Sequence, residues 1–249
     1  MSTAKQRRAA AHRKLEKQLE RRQELEKQRK QQMIVLSLVA VVVVIGLVLW
    51  FSIASSDNKS TAAAGCGFTA DNGEPAVGMP IEDDSDVQTT GKVDLAMETT
   101  RGALTIELDR AGAPCAVTSF EHLAEAGFFD NTICHRLTTG SFGVLQCGDP
   151  TGTGTGGPGY HFNQEPPTGD DPYPVGTVAM ANSGAEASTG SQFFICYTSC
   201  STLPPDYSVV GEVTEGIDVV KQVGAEGTDN GTSDGAPKEE VMITKLAVA

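Results

Sequence analysis

The run Cys134-His135-Arg136-Leu137-Thr138-Thr139-Gly140-Ser141-Phe142-Gly143-Val144-Leu145-Gln146-Cys147-Gly148-Asp149 decides the fold. It reads as two short strands joined by a Gly- and Thr-bearing loop, with one arginine on the first strand and one glutamine on the second. A second half follows in Met180-Ala181-Asn182 and in Gly190-Ser191-Gln192-Phe193-Phe194-Ile195. Working outward, period-two alternation predicts strands over 93–98, 103–108, 132–137, 144–147, 177–181, 192–197, 208–213 and 241–248. Apolar positions Val117, Phe120, Leu123 and Ala124 recur at helical spacing over 117–126, which Gly127 ends, and 217–223 reads as a second short helix. About eight short strands with two helices predict a mainly β fold, a small closed antiparallel barrel.

The N-terminal third has a different character. Residues 1–32 are Lys, Arg, Glu, Gln, Ala and Leu without Gly or Pro, and predict a basic helical tail. Residues 33–54 carry no charge, and 22 residues at about 1.5 Å rise span a hydrocarbon core of roughly 30 Å. They predict a single transmembrane helix. Lys27, Arg29 and Lys30 precede that segment while acidic sequence follows it, so the positive-inside rule places the N-terminus in the cytoplasm and the C-terminal domain outside the cell membrane. Residues 55–92, rich in Ser, Thr, Ala, Gly, Asp and Pro, predict an acidic, mobile linker before a domain at 93–249.

The net charge of −13 conceals a division: residues 1–32 carry eleven Lys/Arg against four Glu, and the rest eight against twenty-eight Asp/Glu. So acidic a domain argues against nucleic acid as a partner, since phosphate binding needs clustered cations. All six cysteines follow the apolar segment, which suits disulfides in an oxidising compartment. Cys196 and Cys200 are spaced for a loop staple, and Cys66 is placed to tie the linker to the domain. Strand alternation puts Cys134 on the face of Arg136 and Cys147 on the face opposite Gln146, which counts against a bridge between those two.

In this order, the HR…QCGD and MAN…GSQFFI runs resemble the active-site strands of cyclophilin-type peptidyl-prolyl cis-trans isomerases. The resemblance covers about 93–249 and implies an eight-stranded barrel capped by two helices; the acidic domain behind the predicted membrane anchor suits a bacterial, membrane-anchored member. It implies an isomerase assisting the folding of exported proteins, with proline-containing polypeptides as substrates. A prolyl amide rotates over a barrier of about 18–20 kcal/mol, and no covalent intermediate or cofactor is required to lower it. The task is to hold proline in an apolar pocket and favour the twisted amide, whose nitrogen gains a lone pair. A guanidinium is a fixed donor for that lone pair.

Arg136 matches the family's catalytic arginine, and Gln146 the glutamine that orients it and contacts substrate. Ala181, Asn182 and Gln192 match groove residues that hold the substrate backbone. Phe194 matches the floor of the proline pocket, Leu203 an apolar wall, and Tyr207 stands where members often have histidine. Two extra residues between Arg136 and Gln146 blur the remaining wall, for which Phe142 with Val144 is favoured over Leu145. Thr202 stands where many members have tryptophan, so weak binding of the inhibitor cyclosporin is expected. A lone arginine would otherwise read as a salt-bridge partner of Asp149 or Glu165. His135 reads as a hydrogen-bonded core histidine; it and the cysteines lack zinc-ligand spacing, so no metal site is expected. The glycines of 152–159, without a following Lys, read as a loop beside the groove and not a phosphate cradle. The competing reading is a catalytically weak proline-segment receptor or holdase tethered to the membrane.

Overall fold

Leu95 and Met97 of β2 (Lys92–Thr99), and Leu104, Ile106 and Leu108 of β3 (Gly102–Asp109), are all buried while their neighbours reach solvent. That is the alternation of a sheet covered on one face. The computed structural model describes residues 65–71, 76–80 and 83–249. Residues Ala64–Ala249 make one compact unit. The expected tail at 1–32, the expected span at 33–54 and the first part of the expected linker lie outside the described residues. Among the described residues, no helix is long and apolar enough to cross a membrane.

Before β2 stands β1 (Thr69–Ala70); after β3 come α1 (Pro114–Glu125), β4 (Thr132–Ile133), β5 (Arg136–Thr138) and β6 (Val144–Cys147). Then follow β7 (Tyr160–His161), β8 (Thr177–Met180), β9 (Phe193–Cys196), β10 (Val209–Glu215), α2 (Ile217–Glu226), β11 (Asp234–Gly235) and β12 (Met242–Val248). Ten strands form one sheet in the order β11-β5-β6-β9-β8-β10-β3-β2-β12-β4, and β1 pairs separately with β7. Laid flat, β4 and β5 would stand eight strand spacings apart, roughly 40 Å. The chain joins them through Cys134 and His135 alone, a reach of about 10 Å. The sheet therefore curls until its ends meet.

Among the described residues no ladder joins the two edges, so the expected closed barrel of eight strands is a curled sheet of ten. The expected strand over 132–137 divides at Cys134 and His135: the Cys134 N–H still donates to the Val241 carbonyl at 2.8 Å, in line with the β4–β12 ladder, and by Arg136 the chain has joined the ladder with β6. This break also corrects the cysteine expectation. Cys134 and Cys147 form a disulfide, as do Cys66 with Cys115 and Cys196 with Cys200. Alternation is a rule within one strand; it did not carry across the bend, which turns Cys134 into the core beside Cys147.

Helix α1 begins at Pro114, and Ala113 offers no side-chain cap. Glu165 stands in: its carboxylate accepts from the N–H groups of Cys115 at 3.1 Å and Ala116 at 2.9 Å. Burial pushes the Glu165 carboxyl up, opposed by those two bonds. The helix buries Ala116, Val117, Phe120, Leu123 and Ala124, with Phe120 stacked 5.0 Å from both Phe129 and Phe193. Residues 65–71, within the expected linker, are docked on the domain through β1 and the Cys66–Cys115 bond.

The sheet separates two apolar groups. Leu145, Cys147, Val178, Met180, Phe193 and Ile195 join the main core. The alternate residues Val144, Ala179, Phe194 and Cys196 join Tyr173 and Cys200 in a smaller cluster on the other face. That second face carries the site.

Candidate active site

The ladder between β5 and β6 sets Arg136 opposite Gln146, and the ladder between β6 and β9 sets Gln146 opposite Phe194. Directly opposed residues share a face, so a guanidinium, an amide and a benzyl ring stand in a row on the outer surface of the sheet. Gly148 lets β6 end close to β9: it has φ +85°, and a Cβ there would overlap the Ser191 carbonyl. Gln192 is thereby held beside Gln146.

Arg136, Phe142, Val144, Gln146, Ala181, Asn182, Phe194, Leu203 and Tyr207 line one slot of about 190 Å³. A cavity of about 150 Å³ is enough for a benzene ring, so a pyrrolidine ring fits. Phe194 forms its floor and meets Tyr207 edge-on, ring centres 5.4 Å apart at 87°. Tyr173 supports both from behind; its hydroxyl donates to the Tyr207 carbonyl at 3.1 Å and accepts from the Tyr207 N–H at 2.9 Å. Leu145 turns to the core, leaving Phe142 and Val144 as wall. Gln192 lies outside the slot, in an adjoining larger pocket.

A single hydrogen-bonded chain runs along the rim. Arg136 donates from Nε to Asp234 Oδ1 at 2.8 Å and from Nη2 to Oδ2 at 2.7 Å. Its Nη1 donates to Gln146 Oε1 at 3.1 Å, and Gln146 Nε2 donates to Gln192 Oε1 at 2.9 Å. Gln192 Nε2 donates to the carbonyls of Gly154 and Gly156 at 3.0 and 2.9 Å. Those two glycines donate their N–H groups to Asp149 Oδ2 at 2.5 and 3.1 Å. Burial would raise the Asp149 carboxyl, but bonds from the Thr151 hydroxyl and from the N–H groups of Thr151, Gly156 and Gly154 outweigh it and hold it at about 2.

The partner of Arg136 is thus Asp234. Asp149 holds the glycine loop and Glu165 caps α1, so neither of the two alternative salt bridges forms. The Asp234 hydrogen bond raises the Arg136 pKa, and the same bond lowers that of Asp234. Sequence reasoning missed Asp234 because 98 residues separate it from Arg136. Its only local signal is the Asn230-Gly231-Thr232 turn that presents it, with Asn230 Nδ2 donating to the Asp234 carbonyl at 3.2 Å.

Asn182 bonds within its own region, Nδ2 to the Asp206 carbonyl at 2.9 Å and Oδ1 to the Gly184 N–H at 2.9 Å. Its main-chain N–H and C=O have no protein partner among the described residues. His135 is not the hydrogen-bonded histidine expected. Both ring nitrogens are buried with no hydrogen-bond partner among the described residues, and burial lowers the pKa of the ring.

Residues 93–248 match the family described as cyclophilin type peptidyl-prolyl cis-trans isomerase/CLD. The chain is 46% identical over 167 residues to the probable peptidyl-prolyl cis-trans isomerase B of Mycobacterium leprae, a match covering 62% of this chain and 56% of that one. It is 44% identical over 168 residues to the protein of the same name from Mycobacterium tuberculosis, covering 62% and 54%. The chain thus spans little more than half the length of these relatives. It resembles the crystal structure of a Cryptosporidium parvum cyclophilin type isomerase at a TM-score of 0.58 and 30% identity, covering 64% of this chain and 98% of that one. A second structure of that protein, determined in the presence of the dipeptide Ala-Pro, aligns at a TM-score of 0.56 and 31% identity, covering 63% and 98%. With the matched residues spanning 93–248 and enclosing the slot, the chain belongs to the cyclophilin type peptidyl-prolyl cis-trans isomerase family.

Proposed function

We propose that this chain is a peptidyl-prolyl cis-trans isomerase acting on proline-containing polypeptides. One observation carries the reading: Arg136, fixed on three of its five N–H donors, stands at the mouth of an apolar slot sized for a pyrrolidine ring. Proline enters between Phe142, Val144, Phe194, Leu203 and Tyr207. The unpaired main chain of Asn182 holds the flanking peptide in register. As the prolyl amide twists, its nitrogen pyramidalises, and a remaining Arg136 N–H donates to the emerging lone pair. That bond exists only in the twisted state, so it lowers the barrier without tightening the ground state. Each 1.36 kcal/mol of such preference is about tenfold in rate. Gln146 keeps the fork aimed and supplies a polar contact of its own.

The same reading places the enzyme at a cell membrane. Residues 33–54 would anchor it and the acidic domain would face outward, within reach of newly exported chains. Weak cyclosporin binding belongs to the proposal too, since Thr202 is exposed and offers no indole where many members carry one.

The test is NMR exchange on an Ala-Pro-containing peptide with the full chain. Arg136→Ala is expected to reduce turnover at least tenfold while the melting temperature stays within a few degrees. A variant as active as the native chain would remove the mechanism. Native protein that binds the peptide without catalysing exchange would leave the holdase reading in its place.

A further inference from the structure

Residues 65–71 precede the stretch that matches the family, which begins at 93, yet they are fixed to the domain. Cys66 is bonded to Cys115, the Asn163 N–H donates to the Cys66 carbonyl at 3.0 Å, and Asn163 Nδ2 donates to the Gly65 carbonyl at 2.9 Å. Thr69 and Ala70 pair with His161 and Tyr160, and the Asp71 N–H donates to the Gly159 carbonyl at 2.8 Å. Phe68 stacks 5.0 Å from Phe162 and 5.9 Å from Tyr160. This strap ends with Asp71 on the wall of a pocket of about 530 Å³.

That pocket shares Gln146, Ala181 and Asn182 with the proline slot, so a peptide seated in the slot runs past it. Its lining is otherwise glycines, alanines, hydroxyls and amides. Among the described residues, Asp71 and His161 are its only ionisable side chains, paired through Asp71 Oδ1 and His161 Nδ1 at 2.7 Å. Oδ2 of Asp71 has no hydrogen-bond partner among the described residues, and the side chain is 51% exposed. The lining contains no Lys or Arg to answer it.

We propose that Asp71 is a specificity-determining residue, by which the strap selects substrates with a lysine or arginine close to the proline and discriminates against aspartate or glutamate there. The proposal rests on the slot being the proline site. An ammonium or guanidinium entering the larger pocket meets Asp71 Oδ2 at its wall, in the field of a strongly acidic domain. A carboxylate meets the same charge as repulsion. The strap holds this carboxylate in place through β1 and the Cys66–Cys115 bond, so the charge is a fixed part of the groove.

The experiment uses the full chain and a series of alanine-based peptides around one proline, with lysine or glutamate at each of the three positions on either side. Exchange rates give kcat/KM, and fluorescence anisotropy gives Kd for the same peptides. At one position at least, lysine is expected to exceed glutamate by about three- to fivefold, the strength of a half-exposed ion pair. Raising salt from about 0.05 to about 0.5 M is expected to shrink that ratio. Asp71→Asn is expected to bring it close to one, and Asp71→Lys to invert it. A ratio near one at every position in the native chain, or one that survives Asp71→Asn, overturns the proposal. Should the Asp71 variants not fold, a salt-independent native ratio overturns it equally. If the native chain turns over no peptide at all, the isomerase reading fails, while the Kd ratios still decide the role of Asp71.

Discussion

Asp234 grips the Arg136 guanidinium edge-on, with two parallel hydrogen bonds of 2.8 and 2.7 Å. Such a fork-to-fork pair fixes the plane of the guanidinium as well as its position. The plane decides where the remaining N–H groups point, so the aim of the Arg136 donors is set from β11, at the edge of the curled sheet.

Removing that grip should harm the chemical step more than binding. Asp234→Ala is expected to lower kcat about tenfold with KM changed by less than about twofold, since on the proposed mechanism the lost interaction orients a donor used in the twisted state. Asp234 is 55% exposed, so the melting temperature should hardly move. A kcat equal to native would show that Gln146 alone orients the arginine.

Charge at position 136 is not sufficient. Lysine offers a point charge on a flexible stem and cannot satisfy Asp234 and Gln146 in one plane. Arg136→Lys is therefore expected to fall within about threefold of Arg136→Ala in kcat/KM by NMR exchange. Near-native activity in the lysine variant would mean that electrostatics, without directed hydrogen bonding, suffices.

Two aromatic residues of the slot should separate binding from folding. Phe142 lines the slot and is only partly buried, so Phe142→Ala is expected to raise KM several-fold with about 1 kcal/mol lost in urea unfolding. Phe194 is 4% exposed and packs on Tyr173 and Tyr207, so Phe194→Ala should cost about 3 kcal/mol or more. Equal stability of the two variants would contradict this division.

The Cys66–Cys115 bond closes a loop of 49 residues and ties the strap to α1. Replacing both by serine is expected to lower the unfolding free energy by about 2–4 kcal/mol. Protease nicking of the strap should follow, mapped by mass spectrometry. Unchanged stability would show that the β1–β7 ladder and Phe68 hold the strap unaided.

Asp149 predicts a pH dependence. Its carboxyl is held at about 2, below the ordinary 3.8, so it binds a proton less readily folded than unfolded. Its contribution, on the order of 2 kcal/mol, is complete above the unfolded pKa and is lost as pH falls from near 4 towards 2. In acid-unfolding titrations Asp149→Asn should be less stable than native at neutral pH, and the two should converge near pH 2. Parallel curves across that range would remove Asp149 as the cause.

Much of the site was legible because it lies on strands whose alternation is strict. Val144-Leu145-Gln146-Cys147 and Phe193-Phe194-Ile195-Cys196 each send alternate residues to opposite faces, and only one member of the Phe193-Phe194 pair can reach the slot. The break at Cys134 and His135 was not legible. Nothing in those two side chains signals that the backbone leaves one ladder for another, and the Cys134–Cys147 bridge depends on that turn. Nor was β1, whose two residues have no periodicity to read and owe their extended form to pairing with β7.

The sequence by itself determined the longer strands, the two helices and the sidedness of most residues on them, because period and propensity act between neighbours in the chain. Only the tertiary structure decided that Asp234 would hold Arg136, that Glu165 would cap α1 and that Asp71 would reach the groove. Those partners stand 98, 50 and 90 residues from the groups they meet. Over such separations no local preference carries information: the pairing of β11 with β5 sets Asp234 beside Arg136, the separate β1–β7 pair sets Asp71 beside His161, and packing brings Glu165 to the start of α1.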